Sequence, residues 1–414
     1  MTDADVVAAV AASEPGMVAL LAELVAAPTV LGSEEPGQAV MRRAFAGLGL
    51  EPVDVPLEPG ELERHPAGAP FSWPVDGKTN VVATWGSAGE GRSLILNGHI
   101  DVVSAEPRTL WSTEPFAARR DGEWLYGRGA GDMKAGLAAI VGAVAGLQRL
   151  GLRPRGPVQL QSVVEEECTG HGALACVLAG SPADAAIITE PTRGAIWHAQ
   201  VGVLWFAVRV LGRGGHAGNG GADAIEASYA VIRALRGLEA ALNTARPPLY
   251  ADYPHPINLN VGVIRGGDWP STVAGECVTS FRLACFPGEP VAQLRERVEA
   301  TVAAAAADLP FAAEVIYDGF QCEGYELGAD APLVGALGDV VERLSGSRPP
   351  LFASTATTDA RTFALYGGTP AVCFGPTAEN EHGVDERVHL PSVIETAQAI
   401  ALFIADWCGL EEVA

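Results

Sequence analysis

In the first half of the chain, apolar residues come in short unbroken runs and do not alternate with polar ones. "NVVATWG" (80–86), "SLILNGHIDVV" (93–103), "PVQLQSVVEEE" (157–167) and "DAAIITEP" (184–191) are rich in Val, Ile and Leu. Such runs suit strands covered on both faces. Between them "GDMKAGLAAIVGAVAGLQRLG" (131–151) and "GHGALACVLAG" (170–180) carry helical spacing. Strands alternating with helices predict an α/β fold with a mostly parallel sheet flanked by helices. The Ala-rich start predicts helix with a break near Glu14–Gly16, and a second helix leads to about residue 50. The Gly/Pro-rich stretch 57–80, "LEPGELERHPAGAPFSWPVDGKTN", predicts an irregular surface loop.

After about residue 200 the pattern changes. "GVLWFAVRVLGRGG" (202–215) falls into period-two sets, as a strand with two unlike faces would. A helix at 223–243, strands at 257–267 and 275–288, a helix at 291–309 and a strand at 312–320 follow. This order predicts a small α+β sandwich inserted into the larger domain. From about 330 the α/β pattern returns, ending in the helix "LPSVIETAQAIALFIADWCG" (390–409). The expected division is 1–200 with 320–414 for the larger domain, and 201–319 for the insert.

Composition narrows the function. The chain has 414 residues, 48% of them hydrophobic, which is enough for a sizeable core. With 27 basic against 50 acidic residues, the net charge of −23 argues against nucleic acid or an anionic membrane as partner. No apolar run reaches the roughly 18–20 residues that span a bilayer, and the first basic residue is Arg42, so no secretory n-region is expected. Seven cysteines without Cys-x-x-Cys spacing read as free thiols, and a cytoplasmic location is expected.

The polar residues inside apolar runs carry the chemistry. His99 and Asp101 are two apart and share one face of a strand. They are either a buried structural pair or a ligand with its supporting carboxylate. Asp132 sits in a Gly-rich turn before a helix, where it can cap the helix or approach a ligand. Glu165, Glu166 and Glu167 end one buried strand and Glu190 another, while His382 lies in the loop "ENEHGVDE". Adjacent carboxylates repel unless solvated or near a cation. Ligands collect at the carboxyl ends of strands in α/β sheets. Imidazole and carboxylate donors without thiolates suit a catalytic zinc or a related divalent ion. A carboxylate left free beside the metal would then serve as general base.

In order along nearly the whole chain, "GKTNVVATW", "NGHIDVV", "YGRGAGDMK", "SVVEEECTGHGALA", "AAIITEPT", "WFAVRVLGRGGHAG" and "ENEHGVDERVHLPS" resemble the co-catalytic zinc hydrolases. That family includes acetylornithine deacetylase, succinyl-diaminopimelate desuccinylase, aminoacylase and carboxypeptidase G. The resemblance implies two divalent metals per subunit, zinc first and cobalt or manganese as alternatives. His99 and Glu190 would be terminal ligands on one, Glu167 and His382 on the other, with Asp132 bridging. Asp101 would orient His99, and Glu166 would take a proton from a metal-held water and pass it to the leaving amine. The Asp132–Met133 peptide is expected to be cis.

The insert resembles a lid or dimerisation domain. Its His216 would reach a partner subunit's site, which implies a homodimer. Arg282 would bind a substrate carboxylate, and Asn260 and Thr358, with Asp359 beside it, would line the pocket. The deacetylase subgroup commonly has Cys at the position of Gly131, and Ser-x-Gly-Asn-Gly where this chain has Cys168-Thr-Gly-His171-Gly. His171, one short loop from Glu167, is within reach of substrate or metal, and is expected first at the surface or behind the ligands. The implied activity is hydrolysis of a small N-acyl amino acid or amine, deacetylation first. Dipeptidase, carboxypeptidase, deformylase and decarbamoylase activities stay open on the same core. A metal-free binding homologue is the rival from another class, and the presence of every ligand and of Glu166 argues against it.

Overall fold

The computed structural model describes residues 2–86, 89–307 and 312–413. The chain enters a large sheet with β1 (Val53–Pro56), β2 (Thr79–Trp85), β3 (Leu94–His99), β4 (Val158–Val163), β5 (Ala186–Ile188) and β6 (Ile196–Gln200). It leaves for a second sheet with β7 (Gly202–Leu211), β8 (Leu259–Gly266), β9 (Glu276–Cys285), β10 (Ala312–Ile316) and β11 (Gln321–Cys322). It returns with β12 (Tyr325–Glu326), β13 (Leu351–Ser354) and β14 (Ala371–Cys373).

The large sheet has the order β1-β2-β4-β3-β5-β14-β6-β12, with β13 pairing β6. Its centre, β4-β3-β5-β14, is parallel, and antiparallel strands stand towards both edges. β3 and β5 are buried at every position, as the unbroken apolar runs require. The helix Ala135–Arg149 packs against the closing helix Leu390–Cys408 and β3. With the turn before it, the segment Ala130–Arg149 is long and apolar enough to cross a membrane, yet its most apolar window is 83% buried inside the protein.

The second sheet is antiparallel throughout, in the order β8-β9-β7-β10, with β11 also pairing β7. Leu204, Phe206, Val208 and Val210 of β7 are buried in one core with the helices Ala224–Thr244 and Val291–Ala306. Trp205 and Ala207, on the other face, line a cleft. The last two residues of the expected helix 291–309 lie outside the described residues.

Two expectations are adjusted. The N-terminal break falls at Ala12–Ser13, because Pro15 fits the first turn of the helix Glu14–Ala26. The stretch 57–80 is neither wholly irregular nor wholly superficial. It holds one helical turn, Pro59–Leu62, and buries Leu57, Leu62, Ala69 and Val75.

Candidate metal centre

Four neighbouring parallel strands deliver polar groups to one end of the large sheet. His99 closes β3, Glu165–Glu167 follow β4, Glu190 follows β5, and the chain after β14 runs on to His382. Asp132 comes from the loop before the helix Ala135–Arg149. One oxygen of Asp132 stands 3.1 Å from Nε2 of His99 and the other 3.4 Å from Nε2 of His382. Glu167 Oε2 is 3.0 Å from the same His382 nitrogen. Nε2 of His99 lies 3.9 Å from Glu166 Oε2. Glu190 lines the same cavity. Donor atoms of His99, Asp132 and Glu167 lie within 4.8 Å of one another.

The three consecutive glutamates part company. Glu165, with φ +62°, turns inward. It accepts hydrogen bonds from Lys78 Nζ and Trp73 Nε1, both at 2.9 Å, and from Thr169 Oγ1 at 2.8 Å. Asp101 acts on its own strand end and on that of the neighbouring β4. Its main-chain carbonyl lies 2.9 Å from Nδ1 of His99, while its carboxylate, 3.7 Å from that nitrogen, accepts the backbone N–H groups of Glu166 and Glu167 at 3.3 and 3.0 Å. The carbonyl therefore sets the imidazole and the carboxylate sets the two glutamates. His171 is fully buried, not at the surface. The loop 57–80 covers it, and its Nε2 accepts the N–H of Ala69 at 3.0 Å. Burial pushes its pKa down to about 4.

Arg128 and Glu386, which the sequence reading passed over, hold the Asp132 loop in shape. Both are buried and pair at 2.7 Å. Glu386 also accepts the N–H groups of Gly129 (2.9 Å), Gly131 (2.9 Å) and Asp132 (3.0 Å). Arg128 donates to the carbonyls of His382 (3.3 Å) and Gly383 (2.9 Å). One ion pair thus ties the two loops that carry Asp132 and His382. The Asp132–Met133 peptide is cis. A Cβ at Gly131 would stand 2.4 Å from the Cβ of Ala378, so the loop runs too close to Ala378 for the cysteine common in the deacetylases.

The cluster calls for positive charge. Burial opposes ionisation of Asp132, but hydrogen bonds from His382 and His99 hold it below its ordinary range. The Glu167 charge pushes His382 up to about 11 despite burial. Burial works against protonation of His99, and Asp132, Glu166 and Glu190 reverse that and raise it. Burial raises Glu166, reinforced by Glu190, Asp359 and Glu167. Among the described residues no Lys or Arg pairs with Asp132, Glu166, Glu167 or Glu190. Imidazole nitrogens and carboxylate oxygens without thiolate, carrying surplus negative charge, fit divalent ions.

Above the cluster opens a cavity of about 1380 Å³ between the two sheets. Arg282, Asn260 and Thr358 line it. Asn260, Arg282 and Trp205 form a row across β8, β9 and β7. The Thr358 hydroxyl donates to Gln200 at 2.7 Å. Asp359 is buried and does not line the cavity, and neither of its oxygens has a hydrogen-bond partner among the described residues. His216 stands exposed outside the cleft, where its Nδ1 accepts the N–H of Gly218 at 3.1 Å.

Comparison with known proteins gives this arrangement a family. The pattern of Peptidase family M20/M25/M40 matches residues 95–406. The chain is 31% identical over 363 residues to N-formyl-4-amino-5-aminomethyl-2-methylpyrimidine deformylase of Halalkalibacterium halodurans, covering 80% of this chain and 84% of that protein. It is 29% identical over 345 residues to acetylornithine deacetylase of Proteus mirabilis, covering 81% and 84%. A dipeptidase structure from Saccharomyces cerevisiae superposes with a TM-score of 0.82 at 15% identity, over 98% of both chains. The chain belongs to peptidase family M20/M25/M40 and is a hydrolase of amide bonds.

Proposed function

We propose that the protein removes an acyl group from the nitrogen of a small amino acid or related amine. The observation that carries this reading is the meeting of His99, Asp132, Glu166, Glu167, Glu190 and His382 at the carboxyl ends of adjacent parallel strands, open to one cleft. The two relatives named above remove formyl and acetyl groups according to their names, which supports deacylation over peptide cleavage.

His99 and Glu190 would hold one divalent ion, Glu167 and His382 a second, and Asp132 would face both. Zinc suits these donors, and cobalt or manganese could replace it. When bound, the ions supply Lewis-acid polarisation of the scissile carbonyl and lower the pKa of water. Glu166 is buried and has no Lys or Arg partner among the described residues. It takes the proton from the attacking water and returns it to the departing amine nitrogen. Asp101 keeps Glu166 and Glu167 in register through their backbone N–H groups.

Arg282 receives the substrate carboxylate. Its one hydrogen bond among the described residues goes to the Thr355 carbonyl at 3.2 Å, so its remaining donors are free for a planar acid. Asn260 and Thr358 flank it in the cleft. The segment 201–319 acts as lid and dimer contact. β8 is an edge strand that exposes Val263 and Ile264, a surface suited to a second copy, and His216 would serve the partner's site. The seven cysteines are free and buried, which supports a reducing cytoplasm.

The test is one dipeptide offered with and without an N-acetyl cap, alongside metal analysis of chelator-free protein. Release of acetate from the capped form, with roughly two divalent ions per chain, is expected. Cleavage of only the uncapped form would replace the deacylase with a dipeptidase. Less than one ion per chain would remove the metal mechanism.

A further inference from the structure

Three separate chain segments bring aromatic rings to one corner of the cleft, beside Glu166 and Glu167. Trp73 comes from the Gly/Pro-rich stretch 57–80, Trp205 from β7, and Phe320 from the segment returning to the large sheet. Trp73 and Trp205 both border the main cavity and an adjoining one of about 440 Å³, and Glu167 borders both as well.

The corner is fixed from behind. Trp73 donates its indole N–H to Glu165 at 2.9 Å, so its ring is tied to the residue next to the proposed base. Phe320 meets Trp205 edge to face, with centroids 5.3 Å apart and an interplanar angle of 88°. Gly319 N–H donates to the Pro70 carbonyl at 2.6 Å, and Ser72 donates to the Asp318 carboxylate. These bonds bind the Trp73 loop to the Phe320 segment. At Gly319, φ is +83° and a Cβ would stand 2.5 Å from the Trp205 ring, so only glycine leaves the indole this place. Both indoles remain half-buried, with area left for a ligand. Trp205 lies directly opposite Arg282 on β9, and side chains so paired stand roughly 4.5–5.5 Å apart at Cβ.

We infer that the acyl-bearing amine carries a flat aromatic ring, which packs in the Trp73–Trp205–Phe320 corner while its carboxylate meets Arg282. The inference rests on the deacylase reading above and names the substrate class. N-acyl aromatic amino acids have this shape, with ring and carboxylate one or two bonds from the same carbon. Rigid indoles add stacking to plain apolar burial, and a pocket built around a ring discriminates against a methyl group in its place.

The experiment compares kcat/KM for N-acetyl-phenylalanine, N-acetyl-cyclohexylalanine, N-acetyl-alanine and N-benzoyl-alanine on the metal-loaded enzyme. N-acetyl-phenylalanine should exceed N-acetyl-alanine by roughly tenfold or more, and the cyclohexyl analogue by about two- to tenfold. Trp205→Ala should shrink the phenylalanine-to-alanine ratio to below about threefold, and Trp205→Phe should restore much of it. Equal rates for phenylalanine and alanine, or a preference for the benzoyl compound, overturn the corner and leave deacylation standing. If no compound is cleaved, calorimetry on Glu166→Gln separates the two claims. Ring-dependent binding there would support the corner while refuting the deacylase, and no binding would refute both.

Discussion

The two sheets present chemistry in opposite ways. In the large sheet β3 and β5 are buried at every position and β4 at all but Gln159, so the polar groups of the site gather beyond the strand ends. In the second sheet helices cover one face only, and the other face lines the cleft with residues from the middle of strands, such as Trp205 and Arg282. A buried parallel sheet offers its edge as a rigid rim for a few precisely aimed groups, and a one-sided antiparallel sheet offers a surface. Rim and surface divide the labour of the proposed reaction: bond making at the rim, recognition on the surface.

Substitution at the rim should have the largest effect. Glu166→Gln should keep its metal content and lose about 10²-fold or more in kcat, read by turnover and metal analysis on the same sample. Near-normal turnover would take Glu166 out of its role and weaken the idea that the rim does the chemistry.

On the surface, neighbouring residues of one strand should give opposite readouts. Leu283→Ala opens a hole in the core against the helices and should cost about 2–5 kcal/mol of stability. Arg282→Met should leave stability level or higher, since it removes a half-buried cation with no acidic partner among the described residues. It should raise KM for a carboxylate-bearing substrate by about tenfold or more. If denaturant melts and kinetics showed the reverse, the assignment of the sheet's two faces would be wrong.

Glu386→Gln probes the support behind the rim and should weaken metal binding by about 10- to 100-fold, measured by calorimetry. Wild-type affinity would show that the Asp132 loop holds its shape without the Arg128–Glu386 pair.

Much of the layout was legible because period-two and unbroken apolar patterns report directly on which faces are covered. Burial pattern alone set His99 and Glu167 at strand ends, Asp132 in a turn before a helix and His382 in a loop; that the four approach one another was implied by the resemblance to the co-catalytic zinc hydrolases. Three features escaped. Trp73 sits in a stretch without periodicity, and no local signal tells that Asp318 and Gly319 would bind that loop over the cleft. The Arg128–Glu386 pair joins two loops far apart in sequence, each of which reads alone as solvated. The depth of His171 depends on Ala69, a residue with no polar side chain to announce the contact. All three are long-range matters of loops, where composition says that the chain turns and not what it turns towards.

The tie between Arg128 and Glu386 spans 258 residues. A growing polypeptide that has reached residue 200 already carries His99, Asp132, Glu166, Glu167 and Glu190, yet the Gly129–Asp132 backbone has nothing to close on. Until the chain reaches Glu386, the Asp132 loop lacks the acceptor for the N–H groups of Gly129, Gly131 and Asp132. The proposed metal site would therefore be complete only once the chain has reached Glu386, which predicts that a product truncated before it binds metal weakly.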